Sequence, residues 1–342
     1  MTPTILILSQ SAMEPTTEEV MDWLEVLGAR AVRLNGDDVD GRAAIRFGVE
    51  GERVALSVEA DGAALPLAEV GAVWFRRWML DRRCETADLL DERAAGDATL
   101  HYELKRHLTE ESRRLSDFVF SCFADLPWLS RPRRARLNKL DVLRRAARLG
   151  FDTPPTLVTG ERAALRAFCD RHGAVITKPI GDVDLFVDGE LSHFLFTTRL
   201  DAAAIDALPE RFAPSLFQAQ VDKEYELRVF YLAGQCHAMA IFSQADPRTR
   251  TDFRRYNRER PNRMVPYRLD EATAGRIGRL MEELGLETGS IDLLAAPGGR
   301  LVFLEVNPVG QFGMVSKPCN YGLEKKVAER LIAKATEGAH AG

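Results

Sequence analysis

Apolar residues recur along the first third of the chain at two alternating periods. Residues 4–8 form a nearly continuous apolar run of strand length. Val20, Trp23, Leu24 and Leu27 follow at three- and four-residue spacing, the mark of one helix face, until Gly28 interrupts it. Thr16-Thr-Glu-Glu19 just before that face is a capping-box pattern and predicts the helix start. Segments 31–34, 45–49, 54–58 and 72–75 predict short strands. From about Asp97, Leu100, Leu104, Leu108, Leu115 and Phe118 line one side of a long helix. This predicts an α/β unit over residues 1–125.

A Pro- and Arg-rich stretch, 125–135, reads as a linker, and the pattern then restarts. Helices are predicted over 138–149 and 161–173, an extended segment over 153–158 and a strand at Val175–Lys178. From Ser215 the pattern turns to strands. Segments 225–232 and 236–243 flank a turn as a hairpin, 270–284 is helical, and 288–294 and 300–306 are strands around Pro297-Gly-Gly299. A closing helix covers 323–336. Two further lobes are expected, residues 126–205 and 206–342.

Composition narrows the classes. The 342 residues are 46% hydrophobic and 28% charged with a net charge of −5, which excludes a disordered or fibrous chain. No apolar run approaches the roughly 18 residues of a membrane span, so no membrane partner is expected. The start reads as a strand rather than a signal peptide. Five scattered cysteines without a C-x-x-C pair argue against a disulfide scaffold or zinc and for a cytoplasmic location.

The densest chemistry lies in Ser290-Ile-Asp292 and Val302-Phe-Leu-Glu305-Val-Asn307-Pro308. Alternation along a strand points Glu305 and Asn307 the same way, with Val302, Leu304 and Val306 expected on the opposite face. A hairpin through Pro297-Gly-Gly299 would bring Asp292 to the same spot. Two carboxylates and an amide oxygen form a hard donor set suited to Mg²⁺, the alternative being a solvated strand face. Lysine is scarce: only Lys105, Lys139, Lys178 and Lys223 precede Lys317. Lys139 opens a helix, and Lys178 ends a strand beside Pro179, positions suited to a phosphate-binding point charge or to a solvated surface lysine. In Phe217-Gln-Ala-Gln-Val-Asp-Lys-Glu-Tyr-Glu-Leu-Arg228, backbone groups suit an adenine edge, Glu226 ribose hydroxyls and Arg228 phosphate.

Residues 244–265 hold seven arginines against Asp246, Asp252 and Glu259, a local charge of +4. With only Phe253 and Tyr256 interleaved, nucleic acid is not expected, which leaves a solvated loop or capture of acidic groups. Arg76 and Arg77 follow a strand whose end faces the crevice of an open sheet. They suit either a substrate carboxylate or a packing cluster with Trp74 and Trp78.

In this order the three constellations resemble the ATP-grasp ligases. Phe303-Leu-Glu-Val-Asn-Pro-Val-Gly-Gln-Phe-Gly-Met-Val-Ser-Lys-Pro-Cys-Asn-Tyr-Gly322, Glu224-Tyr-Glu-Leu-Arg-Val-Phe-Tyr231, Asp252-Phe-Arg-Arg-Tyr-Asn257 and Val73-Trp-Phe-Arg-Arg-Trp78 further resemble the graspetide (microviridin-type) macrocyclases, within them the grasp-with-SPASM type. The resemblance implies an α/β (α+β) ATP-grasp fold. Its parts are a pre-ATP-grasp domain (1–125), a central lobe (126–205) and a C-terminal lobe with the metal site (206–342).

It implies ATP held by Lys139, Lys178, Glu226 and the hinge Gln218, Ala219, Gln220 and Val221. It also implies two Mg²⁺ ions on Asp292, Glu305 and Asn307, and catalytic Arg228 and Arg254, with Asn257 at the phosphate. Arg76, Arg77 and Arg255 are candidate substrate contacts. The segment between Lys178 and Ser192 departs from the fold's usual glycine-rich loop. The implied partner is a precursor peptide with a leader and an acidic core, and the implied assembly a homodimer. Rival readings are a ligase adding free amino acids to a protein or small acid, and a nucleotide sensor without chemistry.

Overall fold

The computed structural model describes residues 2–39, 43–51, 53–60, 63–78, 98–181, 186–188, 191–193, 197–246 and 259–339. They divide into two units, Met1–Ala135 with Gly322–Gly342, and Arg136–Tyr321.

In the first unit the elements are β1 (Thr4–Ser9), α1 (Pro15–Val26), β2 (Arg30–Asn35), β3 (Ala44–Glu50), β4 (Arg53–Ala60), β5 (Ala63–Ala64), β6 (Val70–Phe75), α2 (Ala98–Ser121) and β7 (Trp128–Leu129). A parallel sheet runs in the order β2-β1-β6-β7, and β3-β4-β5 form an antiparallel meander. All six residues of β1 are buried, which is why the sequence shows a continuous apolar run there rather than alternation.

The first helix begins at Pro15 rather than through the Thr16–Glu19 box, because proline already supplies the φ that the first helical residue needs. Its buried set is Thr16, Thr17, Val20 and Leu24, while Trp23 and Leu27 are each 37% exposed. Trp23 instead lies 5.5 Å from the ammonium of Lys325. That lysine belongs to the C-terminal helix Leu323–Ala339, which packs on α1 and β6. The sequence assigned this helix to the third lobe. Here it belongs to the first unit, and Gly71 admits it closely: a Cβ there would sit 3.1 Å from that of Ala335.

Glu14 precedes α1 and its side chain is fully buried. It accepts from Thr17 Oγ1 (3.0 Å) and pairs with Arg76 (3.2 Å) and Arg77 (3.0 Å). Arg76 also stacks over Trp74, 5.4 Å from the ring centre, and burial lowers its pKa against the pull of Glu14.

The second unit contains α3 (Lys139–Arg148), β8 (Thr156–Glu161), α4 (Arg162–His172), β9 (Val175–Lys178), β10 (Phe186–Asp188), β11 (Leu191–His193), β12 (Thr198–Leu200), α5 (Ala202–Asp206), β13 (Arg211–Ala219), β14 (Tyr225–Leu232), β15 (Gln235–Phe242), β16 (Arg263–Tyr267), α6 (Glu271–Leu284), β17 (Thr288–Ala295), β18 (Leu301–Asn307) and α7 (Gly313–Cys319). One antiparallel sheet has the order β12-β9-β13-β8, a second β16-β15-β14-β17-β18, and β10 pairs with β11 as a two-stranded antiparallel ladder. Asn138 and Asp270 cap α3 and α6 by accepting backbone N–H groups, as their positions before apolar-periodic runs require. Ala233 and Gly234 both have positive φ, 45° and 92°, the conformation of a two-residue turn that matches strand twist. Side chains of α3 and α6 cover one face of the five-stranded sheet, including Leu227, Val229, Ile291, Leu293, Phe303 and Val306.

Breaking a buried ion pair from one side costs about 3–5 kcal/mol, because the remaining charge is left uncompensated. Glu14→Gln is therefore expected to destabilise the protein by about 3 kcal/mol, read by chemical denaturation. An unchanged midpoint would show that the buried arginines do not depend on this carboxylate.

Candidate active site

The uncovered face of the five-stranded sheet collects the charged residues, and strand register decides how. Arg228 on β14 lies opposite Asp292 on β17, which lies opposite Glu305 on β18. One row to one side stand Glu226, Leu294 and Val302; one row to the other stand Phe230, Ser290 and Asn307. Rows on one face step by two residues, or roughly 7 Å.

A bulge shifts the register after Asp292: Asp292 pairs with Glu305 but Leu293 pairs with Phe303, so Leu304 is the extra residue. Val302 and Leu304 consequently join Val221, Leu294 and Ala296 in a small apolar cluster, while Phe303 and Val306 face the main core. The expected opposite face of Val302, Leu304 and Val306 thus holds only for Val306.

Arg228 Nη1 donates to both oxygens of Asp292, at 2.7 and 2.6 Å. Lys139, at the start of α3, and Lys178, at the end of β9, each lie 3.8 Å from Glu305 Oε2. Asn307 Oδ1 accepts from Val309 N at 3.1 Å. The turn that follows passes so close that a Cβ on Gly310 would stand 2.6 Å from Ser290 and 3.0 Å from Arg228 Nη2. Among the described residues, Arg228 Nε and Ser290 Oγ are buried without a hydrogen-bond partner.

Glu226 is buried, and its Oε1 accepts from Lys223 Nζ (2.6 Å) and Ser243 Oγ (2.8 Å). Burial pushes its carboxyl pKa up, and Lys223 opposes that shift. Gln218 lies in β13 with its amide donating to Thr156 Oγ1 at 3.0 Å. The N–H groups of Ala219 and Gln220 go to the carbonyls of Pro155 (2.9 Å) and Ala174 (2.8 Å). Among the described residues, Val221 is thus the first hinge residue whose N–H finds no backbone acceptor.

The structure brings Lys139, Lys178, Arg228, Asp292, Glu305 and Asn307 into one cluster, with Glu226 and Val221 beside it. Arg76 and Arg77 are engaged with Glu14 in the first unit. Arg254, Arg255 and Asn257 lie outside the described residues, as do Arg248, Arg250 and Arg258. Sequence reasoning gave no role to Lys223 or Ser243. The signal for Lys223 was its place among the few lysines, three residues before Glu226.

Residues 4–136 match the model of the MvdD pre-ATP grasp domain, a range that ends beside the boundary between the two units. The whole chain is similar in structure to a RiPP-associated ATP-grasp ligase from Chryseobacterium gregarium, solved with ADP and a leader and core peptide. The TM-score is 0.82 at 21% identity, over 97% of each chain. It is similar also to the macrocyclase MdnC from Microcystis aeruginosa MRC, solved with precursor peptide MdnA, with a TM-score of 0.79 at 25% identity over 96% of this chain and 99% of that one. The chain folds as an ATP-grasp ligase. A third ATP-grasp ligase, PsnB, solved with a phosphomimetic variant of its minimal precursor, Mg and ADP, has a TM-score of 0.73 at 19% identity, over 97% of this chain and 98% of PsnB. No curated protein sequence matches the chain.

The ATP-grasp fold implies ATP and magnesium, and the residues present fit both. Among the described residues no three His, Cys, Asp or Glu side chains group as a metal site. Asp292, Glu305 and Asn307 offer two carboxylates and an amide, a set that suits Mg²⁺ when phosphate oxygens complete the shell. Arg228, Lys139 and Lys178 outnumber those two carboxylates, which favours a polyanion.

Removing Asp292 would strand the Arg228 guanidinium, so Glu305 gives the cleaner test. Glu305→Gln should lower ADP formation by about 10²-fold, the effect typical of losing one preorganised charge at the reacting group. Its circular dichroism should stay unchanged. Near-normal turnover would remove Glu305 from the site. Gly310→Ala should also slow turnover, because its Cβ would displace Arg228 or Ser290; unaltered rates would show that the turn yields freely.

Proposed function

We propose that the protein is an ATP-dependent macrocyclase of a ribosomally made precursor peptide. It activates Glu or Asp side chains as acyl phosphates and joins them to Thr or Ser hydroxyls as esters, or to Lys amines as amides. The observation that carries this reading is the Arg228–Asp292–Glu305 row, with Lys139 and Lys178 converging on Glu305, in a fold shared with peptide-bound ligases.

The residues take roles that follow from their chemistry. The apolar cluster around Val221, Leu294 and Leu304 offers a surface for a base, and the hinge from Gln218 to Val221 offers backbone groups at its edge. Glu226 accepts from ribose. Lys139 and Lys178 exchange Glu305 for phosphate oxygens, which are the stronger and more numerous acceptors. Arg228, held by Asp292, faces the transferred phosphoryl group, and Arg254 and Asn257 serve the same centre. Mg²⁺, bound with ATP, neutralises phosphate charge and aligns the γ-phosphoryl.

A carboxylate oxygen of the substrate attacks that phosphorus and ADP departs. The hydroxyl or amine then attacks the acyl carbon, loses its proton, and phosphate leaves. Each ring formed removes one water from the peptide. Such transfer requires positioned cations rather than a nucleophilic side chain, and Arg228, Lys139 and Lys178 supply them.

The acidic core of the peptide meets the arginine-rich segment 244–265, with Arg255 and Arg77 as further candidate contacts, whereas Arg76 takes the packing alternative, buried against Glu14 and Trp74. A homodimer and a cytoplasmic location belong to the same proposal; among the described residues no helix is long and apolar enough to cross a membrane.

Incubation with ATP, magnesium and a precursor peptide should give a product lighter by one water per ring, seen by mass spectrometry, with ADP formed in step. A mass gain would indicate ligation of a free amino acid, and no ADP a sensor; either would overturn the proposal. Arg254→Ala should lower the rate far more than Arg260→Ala in the same assay.

A further inference from the structure

Two neighbours of Glu226 have no part in the chemistry above, yet the geometry gives them one. Glu226, on the sheet face one row from Arg228, is 8% exposed, and its partner Lys223 keeps only 8% of its side chain exposed. Lys223 Nζ and Ser243 Oγ both donate to the same oxygen, Oε1, at 2.6 and 2.8 Å. Ser243 is fully buried and in turn accepts from Gln244 Nε2 at 3.2 Å. Among the described residues no donor reaches Oε2, and that oxygen is not among the buried atoms without a partner.

The asymmetry has a physical consequence. A carboxylate with both donors on one oxygen is fixed in rotation and presents the other as a single, oriented acceptor. A buried lysine beside it favours the ionised form, opposing the burial that favours the neutral acid. An ionised acceptor strengthens a hydrogen bond from a hydroxyl and makes the absence of that hydroxyl expensive, since the desolvated oxygen is then left without a donor.

We propose that Lys223 and Ser243 are positioning residues that hold Glu226 by Oε1, leaving Oε2 to accept from a sugar hydroxyl of the nucleotide, so that the site selects ribonucleotides. This rests on the ATP site proposed above and adds residues that set its sugar specificity. The alternative is a purely structural staple between the hinge and β14.

The test is calorimetric binding of ATP, 2′-deoxyATP and 3′-deoxyATP to the full chain. Wild-type protein is expected to bind ATP roughly 10- to 100-fold tighter than at least one deoxy analogue, the factor of a hydrogen bond to a charged group. Lys223→Met should shrink that ratio to about threefold or less, chiefly by weakening ATP, whereas Lys223→Arg should restore much of it. Ser243→Ala, which removes a donor without leaving a charge unpaired, should shrink the ratio in the same sense and covers the case in which Lys223→Met fails to fold.

In steady state KM for ATP should rise while kcat is largely kept, because the sugar is remote from the transferred phosphoryl. Variants that lose thermal stability but keep the full ratio, or that lose ATP and both analogues equally, would overturn the positioning role and leave a staple. Wild-type protein that binds none of the three would overturn the ATP site itself, and this assignment with it.

Discussion

Three ionised side chains on adjacent strands cannot lie abreast unless their signs and partners balance, and that constraint governs the second unit. Directly opposed residues on neighbouring strands lie about 5 Å apart, so like charges there are destabilising. Asp292 and Glu305 are such a pair. Arg228 on the far side of Asp292, and Lys139 and Lys178 at Glu305, make the arrangement tenable. The same cations are those a polyphosphate would attract, so the protein's internal balance and its ligand chemistry draw on one set of groups.

Backbone features maintain that row. The bulge at Leu304 lets β18 present Glu305 beside Asp292 while Phe303 and Val306 both stay in the core. Gly310 lets the following turn lie against Ser290 and Arg228, where a larger residue would push the guanidinium away from Asp292. The N-cap Asn138 fixes where α3 begins, and so where Lys139 stands. Next to the row, the apolar cluster and the tied-down Glu226 continue along the same sheet face.

Much of this was legible in the sequence because it is local. Asp270 and Asn138 announce their helices, the hairpin over β14 and β15 shows in its two strand-length runs and its Ala-Gly turn, and Val175–Lys178 has the bounds its pattern suggests. Asp292, Glu305 and Asn307 were recognisable as hard oxygen donors that strand period and a hairpin would gather.

What escaped depends on distant contacts or a single extra residue. A bulge has no composition of its own, so simple alternation puts Val302 and Leu304 on the face opposite the one they occupy. Trp23 and Leu27 fit the helical period, but burial at α1 goes to Thr16, Thr17, Val20 and Leu24. Glu14 has no local signal of its burial, since its partner Arg76 stands 62 positions away. The closing helix is amphipathic in the ordinary way, and nothing local says which sheet it will cover.

The central claim is that the lysines now on Glu305 are phosphate ligands and that Glu305 is thereby released to the metal. The most direct measurement is a crystal structure with magnesium and a non-hydrolysable ATP analogue. Lys139 and Lys178 are expected on phosphate oxygens, with Asp292, Glu305 and Asn307 around magnesium. A complex in which both lysines stay on Glu305 and the metal binds elsewhere would contradict the claim.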